Sequence, residues 1–417
     1  MSSIITKKKT VVLFTPGLGM GGSFFDPTIN KLKERSSKVV EYTETVNMED
    51  FQVSKNRFVT VDAKGYLANN KTAFDYFNKQ ISAICALADA NSKKSVLVRV
   101  DLKTFPSFSS GHIIHKDWDS VSNQASKLAF IVKAIKTKDN NINVILVGHS
   151  QGGLVNLETA TRIPDKIKKL ISISTPYREV FAADLLTIVL AADKYVSEKY
   201  NSGSLIDFAA NFMSDIADVN CQNRVFDLSS ETFFAALHAK WNSLTNRPPL
   251  TVITGTSGHL VTLNLGVIRT KQSFDGLVRT SEQKGVSHAK YVNFTDAAVP
   301  CAVQKTVFND TCFDSKLSPC KYLCPLPNFS LGEILKKATF MAFINSVVEG
   351  NMENFVGNWG EEGMNVINTI FYGTARDSSS LNPLYKNYYD IYASDYSHMF
   401  LPQCDETIGT LFAEFEA

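Results

Sequence analysis

The stretch Asn143–Gly153, reading NVILVGHSQGG, constrains the fold of this chain more than any other. Val144, Ile145, Leu146 and Val147 make a continuous apolar run, the pattern of a strand covered on both faces of a parallel sheet. Gly148, Ser150 and Gly152 follow in G-x-S-x-G spacing, and a helical pattern continues from Gly153 to about Arg162. A serine on so sharp a strand-to-helix turn sits in strained backbone, and only glycine lets neighbouring chain pass that closely. The turn lifts the hydroxyl clear of the sheet, and the helix start offers backbone N–H groups to a developing oxyanion. A glycine-rich loop with a spectator serine is the plainer alternative. The strand before and the helix after speak against it.

At these residues the chain resembles the α/β-hydrolase superfamily, and within it the lipases and esterases. The resemblance implies a doubly wound, mostly parallel sheet of α/β class, with Ser150 as nucleophile. Thr10–Thr15 (TVVLFT) predicts a second buried strand, running into PGLGMGG at Pro16–Gly22. That turn has no Walker lysine and does not open a helix in G-x-G-x-x-G register, so a phosphate cradle is disfavoured. In the resembling family the equivalent loop supplies an oxyanion N–H. This places Leu18 in that role, with Gln151 supplying the other. Where the family commonly has His-Gly, this chain has Pro16-Gly17.

Further apolar runs alternate with helical patterns. Ser95–Val100, Ile167–Ser174 and Pro249–Thr254 read as strands, and Ala73–Ala90 and Val121–Ile135 as helices. Such alternation implies right-handed crossovers and a parallel sheet. Arg178–Arg247 carries apolar helical runs at Val180–Leu190 and Ile206–Ile216 but no buried-strand pattern. By resemblance it is a helical cap over the site, although a helical insertion packed on the core fits the same pattern. The expected organisation is a core of 1–177, 248–288 and 386–417, a cap or lid at 178–247, and a second, cysteine-containing insertion at 289–385. Tyr388–Ala393 is expected to be the strand that returns the chain to the core.

The serine needs a base, and the base a carboxylate that fixes its tautomer. In α/β-hydrolases the chain order is serine, acid, histidine. SFDGLVRTSEQ, with its D-G-x-V pattern, makes Asp275 the triad acid by resemblance, and Asp395 is held in reserve. His112, His115 and His149 precede or adjoin the serine, with His149 expected to point away from it. His238 and His259 precede Asp275. His288 and His398 remain. His398 is favoured because it sits between the expected last strand and the terminal helix. The resulting chemistry needs no metal and no organic cofactor.

The expected substrate is a small-molecule or lipid ester, with transient contact to a lipid surface. An acyltransferase or phospholipase with the same triad, or a binding protein on this scaffold, are the alternative functions. The net charge of +2 over 417 residues argues against a nucleic-acid partner. Hydrophobic content of 44% and charged content of 20% suffice for a full core. The amino end has no signal-peptide pattern and no stretch is long enough to span a bilayer, so a soluble protein is expected, cytoplasmic if the sequence is complete. Four of the seven cysteines crowd into Cys301–Cys324. Disulfides there would imply secretion, and reduced thiols or a zinc site are the alternatives. Sequons at Asn70, Asn293, Asn309 and Asn328 decide nothing in a chain this rich in Asn, Ser and Thr.

Overall fold

The computed structural model describes residues 9–17, 21–48, 51–54, 57–61, 67–68, 71–102, 120–179, 231–264, 267–276, 278–297, 301–305 and 394–416. Its strands are β1 (Thr10–Thr15), β2 (Val39–Asn47), β3 (Phe51–Ser54), β4 (Arg57–Val61), β5 (Leu67–Ala68), β6 (Ser95–Asp101), β7 (Asn143–His149), β8 (Lys169–Ile173), β9 (Leu250–Thr256), β10 (Gly258–Asn264), β11 (Val267–Phe274), β12 (Ala289–Thr295) and β13 (Cys301–Lys305). The helices are α1 (Asp26–Arg35), α2 (Lys71–Ala90), α3 (Val121–Lys138), α4 (Gln151–Arg162), α5 (Glu231–Ser243), α6 (Thr280–Gln283) and α7 (Asp405–Glu416).

Seven strands form one sheet in the order β12-β9-β8-β7-β1-β6-β2, and each neighbouring pair is parallel. From β1, beside the middle strand, the chain moves out to the β2 edge, returns through β6, then crosses to β7 and winds the other way. This is a doubly wound sheet. β10, β11 and β13 make a separate three-stranded sheet, and β3, β4 and β5 another.

The period-2 alternation of strand side chains decides which face each residue serves. Val11, Leu13, Val144, Leu146, Val96 and Val98 face a core built with α2, α3, α4 and α5, through Ile81, Leu128, Leu154 and Leu237. Val12, Phe14, Ile145, Val147 and Leu97 face the other core, closed by Ile29 and Leu32 of α1 and Ile408 and Leu411 of α7. Both faces are covered, which is why the central strands read as unbroken apolar runs.

The structure differs from the sequence expectation in several places. β2 and β12 are sheet edges with half-exposed, partly charged faces, and neither was predicted. β12 also means that the sheet continues past residue 289, where the second insertion was expected to begin. α5, placed at the end of the expected cap, buries Phe234, Leu237 and Trp241 in the core beside α4. That part of 178–247 therefore belongs to the helical layer. The other apolar runs of the cap, the strand expected at Tyr388–Ala393 and most of 289–385 lie outside the described residues, as do the side chains of the clustered cysteines. Cys85 and Cys404 are free and buried. Among the described residues no helix is long and apolar enough to cross a membrane.

Candidate active site

The turn between β7 and α4 carries Ser150 at φ 52°, ψ −128°, in the positive-φ region that a non-glycine residue rarely adopts. The strain is held from several sides. Ser150 N–H donates to the Ile173 carbonyl at the end of β8 (2.9 Å), and its own carbonyl accepts from Gly153 N–H (3.0 Å). A Cβ on Gly152 would run into the carbonyl oxygens of Thr15 and Pro16, and one on Gly148 would lie 2.6 Å from the Gly152 carbonyl carbon. The two motif glycines are thus required by close backbone approach, as the spacing predicts. Gln151 opens α4, so its N–H has no acceptor within the helix.

The loop after β1 passes against the serine: a Cβ on Gly17 would be 2.9 Å from Ser150 Cβ. Leu18, the other expected oxyanion donor, lies outside the described residues. The loop is braced at Gly22, whose N–H donates to Asp101 Oδ2 (3.3 Å).

Asp275 follows β11 and is completely buried. Its D-G-x-V segment closes as a turn through Gly276 at φ 97°. Asp275 N–H donates to the Val278 carbonyl (3.1 Å), and Val278 N–H donates to Asp275 Oδ1 (2.7 Å). Asp275 Oδ2 accepts from Gln283 Nε2 (3.0 Å) and pairs with His398 Nδ1 (2.8 Å). Gln283 is itself fully buried; its Oε1 accepts Gly255 N–H (3.2 Å), which fixes the amide with its nitrogen toward the carboxylate. No motif singles out Gln283. Its signal is positional only, eight residues after the acid on the short helix α6.

His398 lies in the turn before α7, 3% exposed. Its main-chain N–H donates to the Asp275 carbonyl (2.7 Å), so acid and histidine are joined by backbone as well as side chain. A carboxylate at Nδ1 assigns the proton to that nitrogen and leaves Nε2 as the lone pair. Nε2 is buried with no hydrogen-bond partner, so the bond to Ser150 Oγ expected from the sequence is not formed here. Such bonds are often long or misaligned without substrate. The His398 ring nevertheless lies beside the elbow, 4.8 Å from the ring of His149, the residue before the serine.

The rival residues are placed elsewhere. His288 is exposed at φ 57° on the turn into β12, and His259 Nδ1 meets Ser273 Oγ (3.2 Å) in the small sheet. Asp395 is exposed. His149, expected to point away from the serine, turns its ring to His398, with Nε2 at 2.7 Å from the His398 carbonyl. Burial pushes its pKa well below the ordinary imidazole value. No group of His, Cys, Asp or Glu able to hold a metal ion occurs among the described residues.

A family model described as a PGAP1-like alpha/beta domain matches residues 8–220, just over half of the chain. The chain belongs to this family. The PGAP1-like match includes the β1 loop, Ser150 and Gln151, whereas Asp275 and His398 lie beyond it. The seven-stranded parallel sheet with helices on both faces is of the α/β-hydrolase class of fold. Similar solved structures include a mature-form lipase of Bacillus licheniformis, at 14% identity over 70% of this chain and 84% of that one, TM-score 0.33. Another is the product of lin2722 from Listeria innocua, at 14% over 77% and 95%, TM-score 0.35. A monoacylglycerol lipase of Paleococcus ferrophilus matches at 13% over 68% and 84%, TM-score 0.32. These likenesses are too distant to carry the chemistry of the PGAP1-like chain, which rests on its own geometry.

Proposed function

We propose that this chain is a serine hydrolase that cleaves carboxylic esters of lipid-like substrates through an acyl-enzyme. What supports this is the buried Asp275–His398 pair, 2.8 Å apart, standing beside a serine in strained backbone at a helix start. In this reading Ser150 Oγ attacks the ester carbonyl while His398 Nε2 takes its proton. Asp275 stabilises the imidazolium. The oxyanion is held by the N–H groups of Gln151 and Leu18. Collapse breaks the ester bond, and His398 returns the proton to the departing alcohol. A water, deprotonated by His398, then attacks the acyl-serine; the acid leaves and Ser150 regains its proton. In this reading the apolar runs Val180–Leu190 and Ile206–Ile216, known from sequence alone, are assigned the acyl-binding role.

Ser150→Ala is expected to lower hydrolysis of p-nitrophenyl esters by several orders of magnitude with the fold intact. A fluorophosphonate should label Ser150 in the wild-type chain, and an acyl-length panel should favour longer chains. Full activity of the variant, or labelling elsewhere, would overturn the assignment.

A further inference from the structure

His149 closes β7 and is wholly buried. Its ring is stacked on Phe24 at 4.6 Å and tilted against His398 at 4.8 Å. Nε2 lies 2.7 Å from the main-chain oxygen of His398. A carbonyl only accepts, so Nε2 carries the proton and Nδ1 is a lone pair. Nδ1 has no partner and abuts Gly17, where a Cβ would be 3.2 Å away. His398 N–H is held by the Asp275 carbonyl at 2.7 Å. Both main-chain polar groups of His398 are therefore held, one by the acid's backbone and one by the neighbour of the serine.

We propose that His149 is a positioning residue, whose Nε2–H holds the His398 carbonyl and so fixes the His398 ring over Ser150. This rests on the reading of Ser150 and His398 as nucleophile and base. The ring's low basicity suits the role. An imidazole that stays neutral adds no repulsion when its neighbour 4.8 Å away becomes imidazolium. Packing alone would not need the nitrogen: a phenyl ring would fill the same space and stack on Phe24 equally well.

Three full-length variants separate these roles. His149→Phe keeps the ring and loses the donor. His149→Gln keeps an N–H at about the reach of Nε2, and His149→Asn carries the same amide one bond too short. Misplacing the base by about 1 Å is expected to lower kcat by about 10²-fold in Phe and Asn with KM little changed, and Gln should restore most of it. The rate of Ser150 labelling by a fluorophosphonate should fall and recover in parallel, with thermal midpoints recorded for each variant. If Phe does not fold, the Asn–Gln pair decides alone. Equal kcat and labelling across the folded variants, or no advantage of Gln over Asn, overturns the inference while leaving the nucleophile in place. Absence of Ser150 labelling in the wild-type chain overturns the nucleophile and this inference together.

Discussion

At the scale of residues, Asp275 gathers three donors from outside its own peptide: Val278 N–H, Gln283 Nε2 and His398 Nδ1. The carboxylate oxygen at Nδ1 selects the His398 tautomer that leaves Nε2 as the lone pair. Asp275→Asn is expected to leave the fold intact but lower kcat by about 10⁴-fold, because an amide can present its N–H to Nδ1 and favour the other tautomer. Steady-state kinetics with circular dichroism on the same preparation check it. The strained turn at Ser150 and the contact of Asp275 with His398 were legible in the sequence, because a glycine-flanked serine turn and the chain order of the resembling family narrow the choice among seven histidines. Gln283 and the grip of His149 were not. Both act through contacts between segments far apart in sequence, which no local pattern encodes.

At the scale of elements, the turn bearing His398 is docked by contacts to β9 and α1. The Tyr396 carbonyl rests on Gly255 at the end of β9, and a Cβ there would collide with it. Thr28 Oγ1 of α1 donates to the Pro402 carbonyl (3.0 Å) just downstream. Gly255→Ala should therefore push the His398 turn outward while sparing β9. The expected outcome is a loss of about 1–3 kcal/mol in stability, measured by urea denaturation, and a fall in kcat larger than that loss explains. The same elements account for what the sequence hid. β1, β6, β7, β8 and β9 were visible because both their faces are apolar. β2 carries Glu41 and Glu44 and β12 carries Lys290, since an edge strand keeps part of its surface in water. The β10–β11 hairpin that delivers Asp275 was likewise invisible, its GHLVTLN–VIRTKQSF run mixing polar and apolar residues without clean alternation.

At the scale of the whole molecule, α7 ties the site to the sheet. Glu414, 6% exposed, accepts from Lys169 on β8 through Oε2 (2.9 Å) and from Lys290 on β12 through Oε1 (2.7 Å). Lys169 Nζ also donates to the Glu414 carbonyl (2.8 Å). Burial alone would raise the Glu414 carboxyl, but the bonds from Lys290 and Lys169 prevail and hold it below the ordinary value. A carboxyl held down in the folded state adds stability above its unfolded pKa, and that stability is lost as pH falls through the folded value. Lys290 is largely exposed, so most of the gain comes from Lys169, 7% exposed. Glu414→Gln should cost about 2 kcal/mol at pH 7 and flatten the loss of stability below pH ~4.5, as followed by denaturant midpoints across pH.

The serine turn looks like the most local feature of the chain, yet β1 completes it. Thr15 pairs with Gly148, and the Thr15 and Pro16 carbonyls lie where any side chain at Gly152 would have to go. The turn therefore cannot reach its strained form until residues more than 130 positions apart have met. Closing so long a loop is slow, because its entropy is lost before the contact rewards it. A nascent or refolding chain would carry the intact eleven-residue motif for some time without a reactive serine, and reactivity would mark the end of assembly rather than its nucleus.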